Sequence, residues 1–433
     1  MRDGARLETG RHPRFRKGLP GPRALPSPKS IRMKTLLGDN RMITLAALWT
    51  SLFVVNANII LILPLLPFLR PEFGLSGAES ATVLIAYPVL AFAANILLGP
   101  FIDKYGPRRF LLIGSIGCAA TFLLMGLAEN TYLIILWRAA AGVFTPMMGA
   151  SVFAAVADYY PEKERPVIVG YVSSAPAVAP MVIMPLAILA AAEFSWRVPL
   201  FGLAVVSLVV AGAVWMIGDA EFSNREQRKI TPKIYAEKYT SFAINRKIFF
   251  GLFSFIIVMI AIFEFMALYP DWLWEHAAAL DQSSGISMIF LIGGILGVLG
   301  AMLSGNLAKK LGGTKGILIA SSLVTGIVTL FAAGASETLV IQIVVFSIFS
   351  FGRAMIMPLL ISSLMQEVAA TERGSMNGFI NAAFQIGVAA GSLIGGISYA
   401  GDSSYFLTAS ISVVLFVFAA TIIAFEYQRA QLN

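Results

Sequence analysis

Three charged residues lie within apolar stretches that are long enough to cross a membrane, and their side chains are the best candidates for chemistry. They are Glu264, Arg138 and Arg353. A charge in hydrocarbon is costly unless it is paired or reaches water, so such residues are rare and typically functional. A carboxyl group in a changing environment can bind and release a proton, because burial favours its neutral form and a nearby arginine favours its charged form. The sequence therefore predicts Glu264 as a proton carrier, with Arg138 and Arg353 as further candidate functional residues.

Each of these three residues also has a purely structural interpretation. Glu264 can be a fixed partner of Arg353 or Arg138 that is neutralised in every conformation. Arg138 can pair with carbonyl groups at a helix end, and Arg353 can form a structural salt bridge. All three charges can also meet in one cavity, and sequence alone places no distances among them.

Uncharged polar residues on the first two apolar stretches provide a second group of candidates. Such side chains can hydrogen-bond a substrate, but hydrogen bonds between membrane helices are equally frequent. Both interpretations stay open for Asn56, Asn58, Tyr87 and Asn95.

The composition excludes a water-exposed globular fold. Of the 433 residues, 58% are hydrophobic and 13% are charged, against about 25% charged in soluble domains. A single cysteine and two histidines exclude a disulfide framework and leave little room for a metal site. The sequence contains no P-loop, dinucleotide fingerprint or HExxH motif. We therefore expect no enzyme and no cofactor, and an ion or substrate gradient as the energy source.

Twelve apolar runs approach or exceed the roughly 20 residues that a helix needs to cross a bilayer. Because a lipid-exposed backbone must satisfy its own hydrogen bonds, we predict an all-α integral membrane protein. The predicted spans, numbered 1 to 12 in chain order, are 42–69, 80–101, 110–127, 131–157, 167–191, 198–218, 248–270, 284–307, 316–335, 338–365, 375–399 and 405–425.

The distribution of basic residues predicts the orientation. Residues 1–41 hold eleven Lys and Arg against three acids, and the rest of the chain has 21 basic and 21 acidic residues. The net charge of +8 therefore does not indicate a nucleic-acid-binding surface. Without that tail, loops on its side of the membrane carry 17 Lys and Arg, and the other loops carry two. The positive-inside rule then predicts cytoplasmic termini, and the short outer loops favour a bacterial inner membrane.

An internal repeat predicts two halves. Residues 99–109 after span 2 resemble residues 305–315 after span 8, and a Glu-Arg pair at 164–165 recurs at 372–373. Each half has an even number of spans, so the halves are parallel repeats. The predicted organisation is a disordered basic tail, two six-helix bundles joined by a linker, and a C-terminal tail: 1–41, 42–218, 219–247, 248–425 and 426–433. Met33 is an alternative translational start.

The loop after span 2 and one turn of span 4 carry a family resemblance. The sequence from Gly99 to Arg109 resembles the G-x-L-A-D-R-x-G-R-K signature of the major facilitator superfamily, with Lys104 replacing an arginine. Arg138 and Gly142 match a second signature, R-x-x-x-G. The resemblance covers about residues 42–425. It implies two six-helix bundles around a central cavity that opens alternately to each side.

In that family the loop after span 2 acts as a gate latch. The repeat has Lys309 at the position of Asp103, so such a latch is asymmetric here. The alternative is a solvated turn that carries positive-inside charges. The residues to which the resemblance assigns this role are Gly99, Asp103, Lys104, Gly106, Arg108 and Arg109.

Three functions are consistent with these observations. The first is a proton-coupled transporter, working as a monomer, that exports a small organic molecule. Against it, the Gly-Pro-x-x-Gly-Gly element of many drug exporters in the family corresponds here to residues 179–184, which lack the glycine pair. The second is an importer or exchanger of organic or inorganic anions that uses Arg138 and Arg353. The third is a non-transporting sensor or an intramembrane enzyme.

Overall fold

A computed structural model describes residues 39–217, 240, 242, 244–276, 278–310, 313–334, 338–368, 373–401 and 405–430. This part of the chain contains twelve helices that are long and apolar enough to cross a membrane, as predicted. The observed bounds of spans 1 to 12 are Arg41–Phe73, Gly77–Ile102, Pro107–Gly126, Thr131–Tyr159, Arg165–Glu193, Arg197–Met216, Arg246–Glu275, Gln282–Lys310, Thr314–Gly334, Leu339–Gln366, Ser375–Tyr399 and Phe406–Phe425. The predictions for the tail, for Met33 and for most of the linker lie outside the described residues.

Several spans extend beyond their apolar core. The helix of span 2 continues to Tyr105, so Asp103 belongs to its last turn and does not follow its end; the Asp103 side chain lies outside the described residues. Span 7 continues to Glu275, five residues beyond the predicted end. The extension places Asp271 inside a span, because Trp272 and Leu273 continue the apolar pattern after it.

Spans 5 and 7 are each built from two helical segments. Span 5 consists of Arg165–Val172 and Ala175–Glu193, and span 7 consists of Arg246–Met266 and Tyr269–Glu275. In both, the second segment begins next to a proline in its first turn. Proline is tolerated there because the amide hydrogen that it lacks has no partner inside the helix.

The two halves repeat the same packing. Span 4 contacts spans 2 and 3 in the first half, and span 10 contacts spans 8 and 9 in the second. Span 3 likewise contacts span 6, and span 9 contacts span 12. Between the halves, span 2 packs on span 11 and span 5 packs on span 8. This arrangement corresponds to two parallel six-helix repeats.

Glycines allow the halves to approach closely. A Cβ atom at Gly294 on span 8 would lie 2.5 Å from the Met181 Cα atom, and one at Gly396 on span 11 would lie 2.6 Å from the Ala81 Cβ atom. Gly99 differs, since nothing lies within 4 Å of a Cβ atom built there. No close helix contact therefore requires glycine at this position in this conformation.

We name the two ends of the bundle for orientation. The basic face contains Lys104 and Lys163, and the opposite face contains Gly74 and Glu275. Trp272, near the opposite face, is 1% exposed and stacks at 5.2 Å on the Tyr405 ring. Trp272 therefore does not belong to an aromatic belt at the lipid interface, because its ring packs against other aromatic rings.

Candidate substrate and coupling site

Arg138 is the centre of a buried polar cluster in the first half. Its side chain is 2% exposed, and Nη1 donates to the Asn58 backbone oxygen at 2.7 Å and to Asn58 Oδ1 at 2.9 Å. Its guanidinium carbon lies 4.9 Å from the centre of the Tyr87 ring. Asn58 Nδ2 in turn donates to Thr145 Oγ1 at 2.7 Å. Three predicted site residues thus meet across spans 1, 2 and 4.

Gly142 explains how Tyr87 reaches Arg138. It lies one turn after Arg138, and a Cβ atom there would lie 2.4 Å from the Tyr87 backbone oxygen. Only glycine lets spans 2 and 4 approach this closely. Cys118, fully buried, is 3.5 Å from Thr145 Oγ1 and closes the cluster from span 3.

Asn56 and Asn95 do not belong to this cluster. The Asn56 amide nitrogen donates to the Leu52 carbonyl at 2.9 Å, and the Asn95 amide nitrogen donates to the Ala91 carbonyl at 2.8 Å. Each bond lies within one helix, and both side chains are partly exposed. Their amide oxygens can therefore accept a hydrogen bond from a ligand.

Glu264 lies in the second half, where spans 7, 11 and 12 meet. It is 0% exposed, and neither carboxyl oxygen has a hydrogen-bond partner among the described residues. A Cβ atom at Gly395 of span 11 would lie 2.4 Å from the Glu264 backbone oxygen, so the two helices touch at this point. Ser398, also on span 11, is the polar neighbour of the carboxyl group.

Glu264 forms no ion pair with Arg138 or Arg353 within the described part of the chain. Glu264, Arg138 and Arg353 therefore do not meet in this conformation.

Arg353, like Glu264, has no ion-pair partner among the described residues. It is partly buried in span 10, and its Nε atom is buried without a hydrogen-bond partner. Within the described residues its guanidinium lies within 4 Å of no carboxylate. No described carboxylate therefore compensates the positive charge of Arg353.

The loop after span 2 contacts its own half. Gly106, with φ +88°, makes the turn into span 3 that residues with a Cβ atom rarely adopt. Arg108 Nη2 donates to the Trp215 carbonyl at 2.9 Å and satisfies the end of span 6. Lys104 and Arg109 are exposed. In this conformation Arg108 therefore stabilises one bundle.

The opposite face holds charged residues that sequence reasoning missed. Arg70, at the end of span 1, donates through Nη1 to Asp271 Oδ2 on span 7, and the same Nη1 lies 3.8 Å from Glu275 Oε1. The Arg70 guanidinium lies 5.6 Å from the centre of the Tyr399 ring on span 11. The apolar residues after Asp271 are the signal that could have placed it in a span. This ion pair joins the two halves.

Aromatic contacts and a cleft accompany that ion pair. Phe68 of span 1 packs on Trp274 of span 7, with ring centroids 4.6 Å apart. A cleft of about 360 Å³ opens at this face, and Arg70, Asp271 and Glu275 are among the residues that line it. The halves are thus in contact at the opposite face, with water access to the charged residues.

The sequence of the chain matches the model of the Major Facilitator Superfamily over residues 48–392, and again over 277–430. The chain belongs to this superfamily. Its members are membrane transporters of small molecules and not enzymes, so the chain is an integral membrane transport protein.

Individual relatives are distant. Multidrug resistance protein 2 of Bacillus subtilis (strain 168) is 24% identical over 374 residues, which cover 85% of this chain and 91% of the relative. The hexuronate transporter of the same organism is 22% identical over 386 residues, with 81% and 88% covered. A bacterial homologue of the human lysosomal transporter Spinster, solved in an inward-facing, occupied conformation, superposes with a TM-score of 0.73 at 13% identity, with 90% and 97% covered. That structure supports the fold.

Proposed function

We propose that this chain is a proton-coupled exporter of a small organic molecule that works by alternating access, with Glu264 as the proton carrier. The observation that carries the proposal is the Glu264 carboxyl group, which is fully buried and has no cation beside it among the described residues. A carboxyl group that is neutral while it is buried can release its proton when water reaches it from the basic face, and it can take up a proton again when the opposite face is open. The similarity to a multidrug resistance protein supports the outward direction.

The contacts between the halves support the alternating motion. At the opposite face the halves are held by the Arg70–Asp271 ion pair and by Phe68 against Trp274. Parallel repeats of this kind rock against each other around a site near the membrane midplane. Opening at this face requires both contacts to separate. It also moves span 7, whose backbone carries Glu264.

A second candidate function is transport of an organic anion. Arg353 favours it, because its guanidinium has no ion-pair partner in the described part of the chain and can bind a carboxylate with two charge-assisted hydrogen bonds. The similarity to a hexuronate transporter is consistent with this reading. Arg138 contributes less than the sequence suggested, since its hydrogen bonds already go to Asn58.

Proteoliposomes test the first candidate. Purified protein is reconstituted, a pH gradient is imposed, and accumulation of tetraphenylphosphonium is measured for the unmodified chain and for Glu264→Gln. We expect gradient-driven accumulation in the unmodified chain and the level of empty liposomes in Glu264→Gln, because the amide cannot exchange a proton. Glu193→Gln, which removes an exposed carboxylate, serves as the matched control. Unchanged accumulation in Glu264→Gln would falsify the proton-carrier role.

The same vesicles separate the second candidate from the first. Uptake of glucuronate is measured for the unmodified chain, Arg353→Gln and Arg353→Lys. Anion transport predicts saturable uptake that is lost in the glutamine variant and partly kept in the lysine variant. Absence of glucuronate uptake by the unmodified chain, together with tetraphenylphosphonium accumulation, leaves the exporter as the function.

The placement of the chain is part of the proposal. We propose both termini in the cytoplasm of a bacterial inner membrane, since loops on the tail side hold 17 basic residues against two on the other side. We further propose a monomer with domains at 42–218 and 248–425, joined by the linker 219–247. Under this orientation the basic face is cytoplasmic and the opposite face is external.

A further inference from the structure

Several polar side chains lie between Glu264 and the opposite face. Ser398, the polar neighbour of Glu264, lies 2.9 Å from Thr408 through their hydroxyl oxygens. Tyr405 donates its hydroxyl hydrogen to the Phe265 carbonyl, one peptide from Glu264. These side chains lie inside the second half, at the seam of spans 7, 11 and 12, and they are separate from the Arg138 cluster.

Tyr399 connects this buried part with the surface charges. Its ring lies 5.8 Å from the Tyr405 ring, and its hydroxyl faces the carboxylates of Asp271 and Glu275. That hydroxyl is buried and makes no hydrogen bond with a described residue. A buried hydroxyl without a partner is unfavourable, and such exceptions call for an explanation. A hydrogen-bond partner that is present in only one conformation supplies one.

We propose that a proton pathway leads from the opposite face to Glu264 through Asp271, Tyr399 and Tyr405, and that the Arg70–Asp271 ion pair closes it whenever it closes the substrate route. The proposal rests on the proposed role of Glu264 and adds the route by which its proton arrives. The cleft beside Asp271 and Glu275 gives water access to the outer end.

The hydroxyl groups pass the proton without changing charge. Burial, and then the nearby Glu264, Tyr269, Tyr399 and Asp271, raise the pKa of the Tyr405 hydroxyl well above its usual value. Tyr405 therefore stays neutral: its hydroxyl turns from the Phe265 carbonyl towards Glu264, and its oxygen gains one proton as its own proton moves on to the Glu264 carboxylate. Over the whole path one proton leaves the protonated Asp271 carboxyl group and one is added to the Glu264 carboxylate, so the intermediate groups are unchanged.

Arg70 explains how the path is closed in this conformation. Its guanidinium bonds Asp271 and lies over the Tyr399 ring. A cation in this position holds Asp271 ionised and repels an incoming proton. When the halves separate at this face, Arg70 on span 1 moves away from span 7. Asp271 then becomes free to accept a proton as the substrate route opens. This couples proton uptake to the opening of the substrate route.

A proton-leak assay tests whether Arg70 closes the proton pathway. Liposomes with the pH dye pyranine inside receive an imposed pH gradient, with valinomycin and potassium to balance charge and with no transported substrate. We expect the unmodified chain to be proton-tight and Arg70→Gln to leak, because Glu264 can then take up protons from the opposite face whenever it is able to release them at the basic face. Tyr399→Phe in the Arg70→Gln background should reduce the leak by about tenfold or more, since only the relay hydroxyl is removed. The pathway is contradicted if Arg70→Gln shows no proton leak, or if adding Tyr399→Phe does not reduce the leak of Arg70→Gln.

A matched control comes from the same aromatic cluster. Tyr269 is buried and stacks on the same rings, but its hydroxyl donates to Gln342 at 2.7 Å. Tyr269→Phe should therefore leave the leak of Arg70→Gln unchanged. An equal reduction of the proton leak by Tyr269→Phe and by Tyr399→Phe would indicate a general packing effect and would also contradict the pathway.

Tyr399→Phe alone provides a second measurement that does not depend on the Arg70 variant. No hydrogen bond to a described residue is lost, so the variant should fold. We expect slower gradient-driven tetraphenylphosphonium accumulation with unchanged exchange of labelled for unlabelled tetraphenylphosphonium, which moves no net proton. Equal rates with the unmodified chain in both assays contradict the pathway. If Glu264→Gln still abolishes accumulation in that case, the proton-carrier role survives and only the route is wrong.

Discussion

Arg138 and Arg353 are intramembrane arginines on corresponding spans of the two halves, and their surroundings are opposite. Arg138 is 2% exposed and is fixed by Asn58 and Tyr87. Arg353 has no ion-pair partner in the described residues, and neither has Glu264. The difference teaches that the polar groups of the first half hold helices together. Arg353 and Glu264 in the second half make no such bonds to described residues, which fits the proposed binding of a ligand and a proton.

The largest effect should come from breaking the first-half cluster. Arg138→Ala removes two charge-assisted hydrogen bonds and leaves the Asn58 amide oxygen buried without a donor. We expect a loss of about 3 kcal/mol in the free energy of unfolding, measured as a lower melting temperature in detergent. Arg109→Ala, at an exposed position, should stay within about 0.5 kcal/mol. Equal melting temperatures for both would remove the structural role of Arg138.

A smaller effect should follow from crowding the same cluster. In Gly142→Ala the new methyl group would lie 2.4 Å from the Tyr87 backbone oxygen, so spans 2 and 4 must separate at a cost of about 1–3 kcal/mol. Gly149→Ala, whose methyl group would lie 3.6 Å from a Val55 methyl carbon, is the matched control and should be tolerated. Thermal unfolding of both proteins checks the difference; a stable Gly142→Ala protein would contradict close packing at Tyr87.

The smallest effect on stability should come from Arg353→Gln. It removes no ion pair or hydrogen bond to a described residue, so we expect a change of less than about 0.5 kcal/mol. The measurement is again thermal unfolding, beside Arg138→Gln. A large loss of stability in Arg353→Gln would show that this arginine also holds helices together, and the contrast between the halves would fail.

Hydrophobicity was sufficient to predict the fold, because a membrane span depends on composition over about 20 residues. The site depended on more local information. That Arg138 meets Asn58 follows from the packing of spans 1 and 4, which no spacing in the sequence encodes. Asp271 was missed because a carboxylate beside Pro270 reads as the end of a span. The burial of Trp272 could not be predicted either, because aromatic residues near a span end occur both at the lipid interface and in buried clusters.

Cys118 has a practical consequence. It is the only cysteine in the sequence, and its sulfur is fully buried beside Thr145, where a maleimide reagent cannot reach it in the folded protein. Cysteines introduced at both Phe73 and Glu275 would thus be the only accessible thiols. Fluorescent or spin labels attached to such a pair can follow the separation of the halves in real time, without the background that a second accessible native thiol would create.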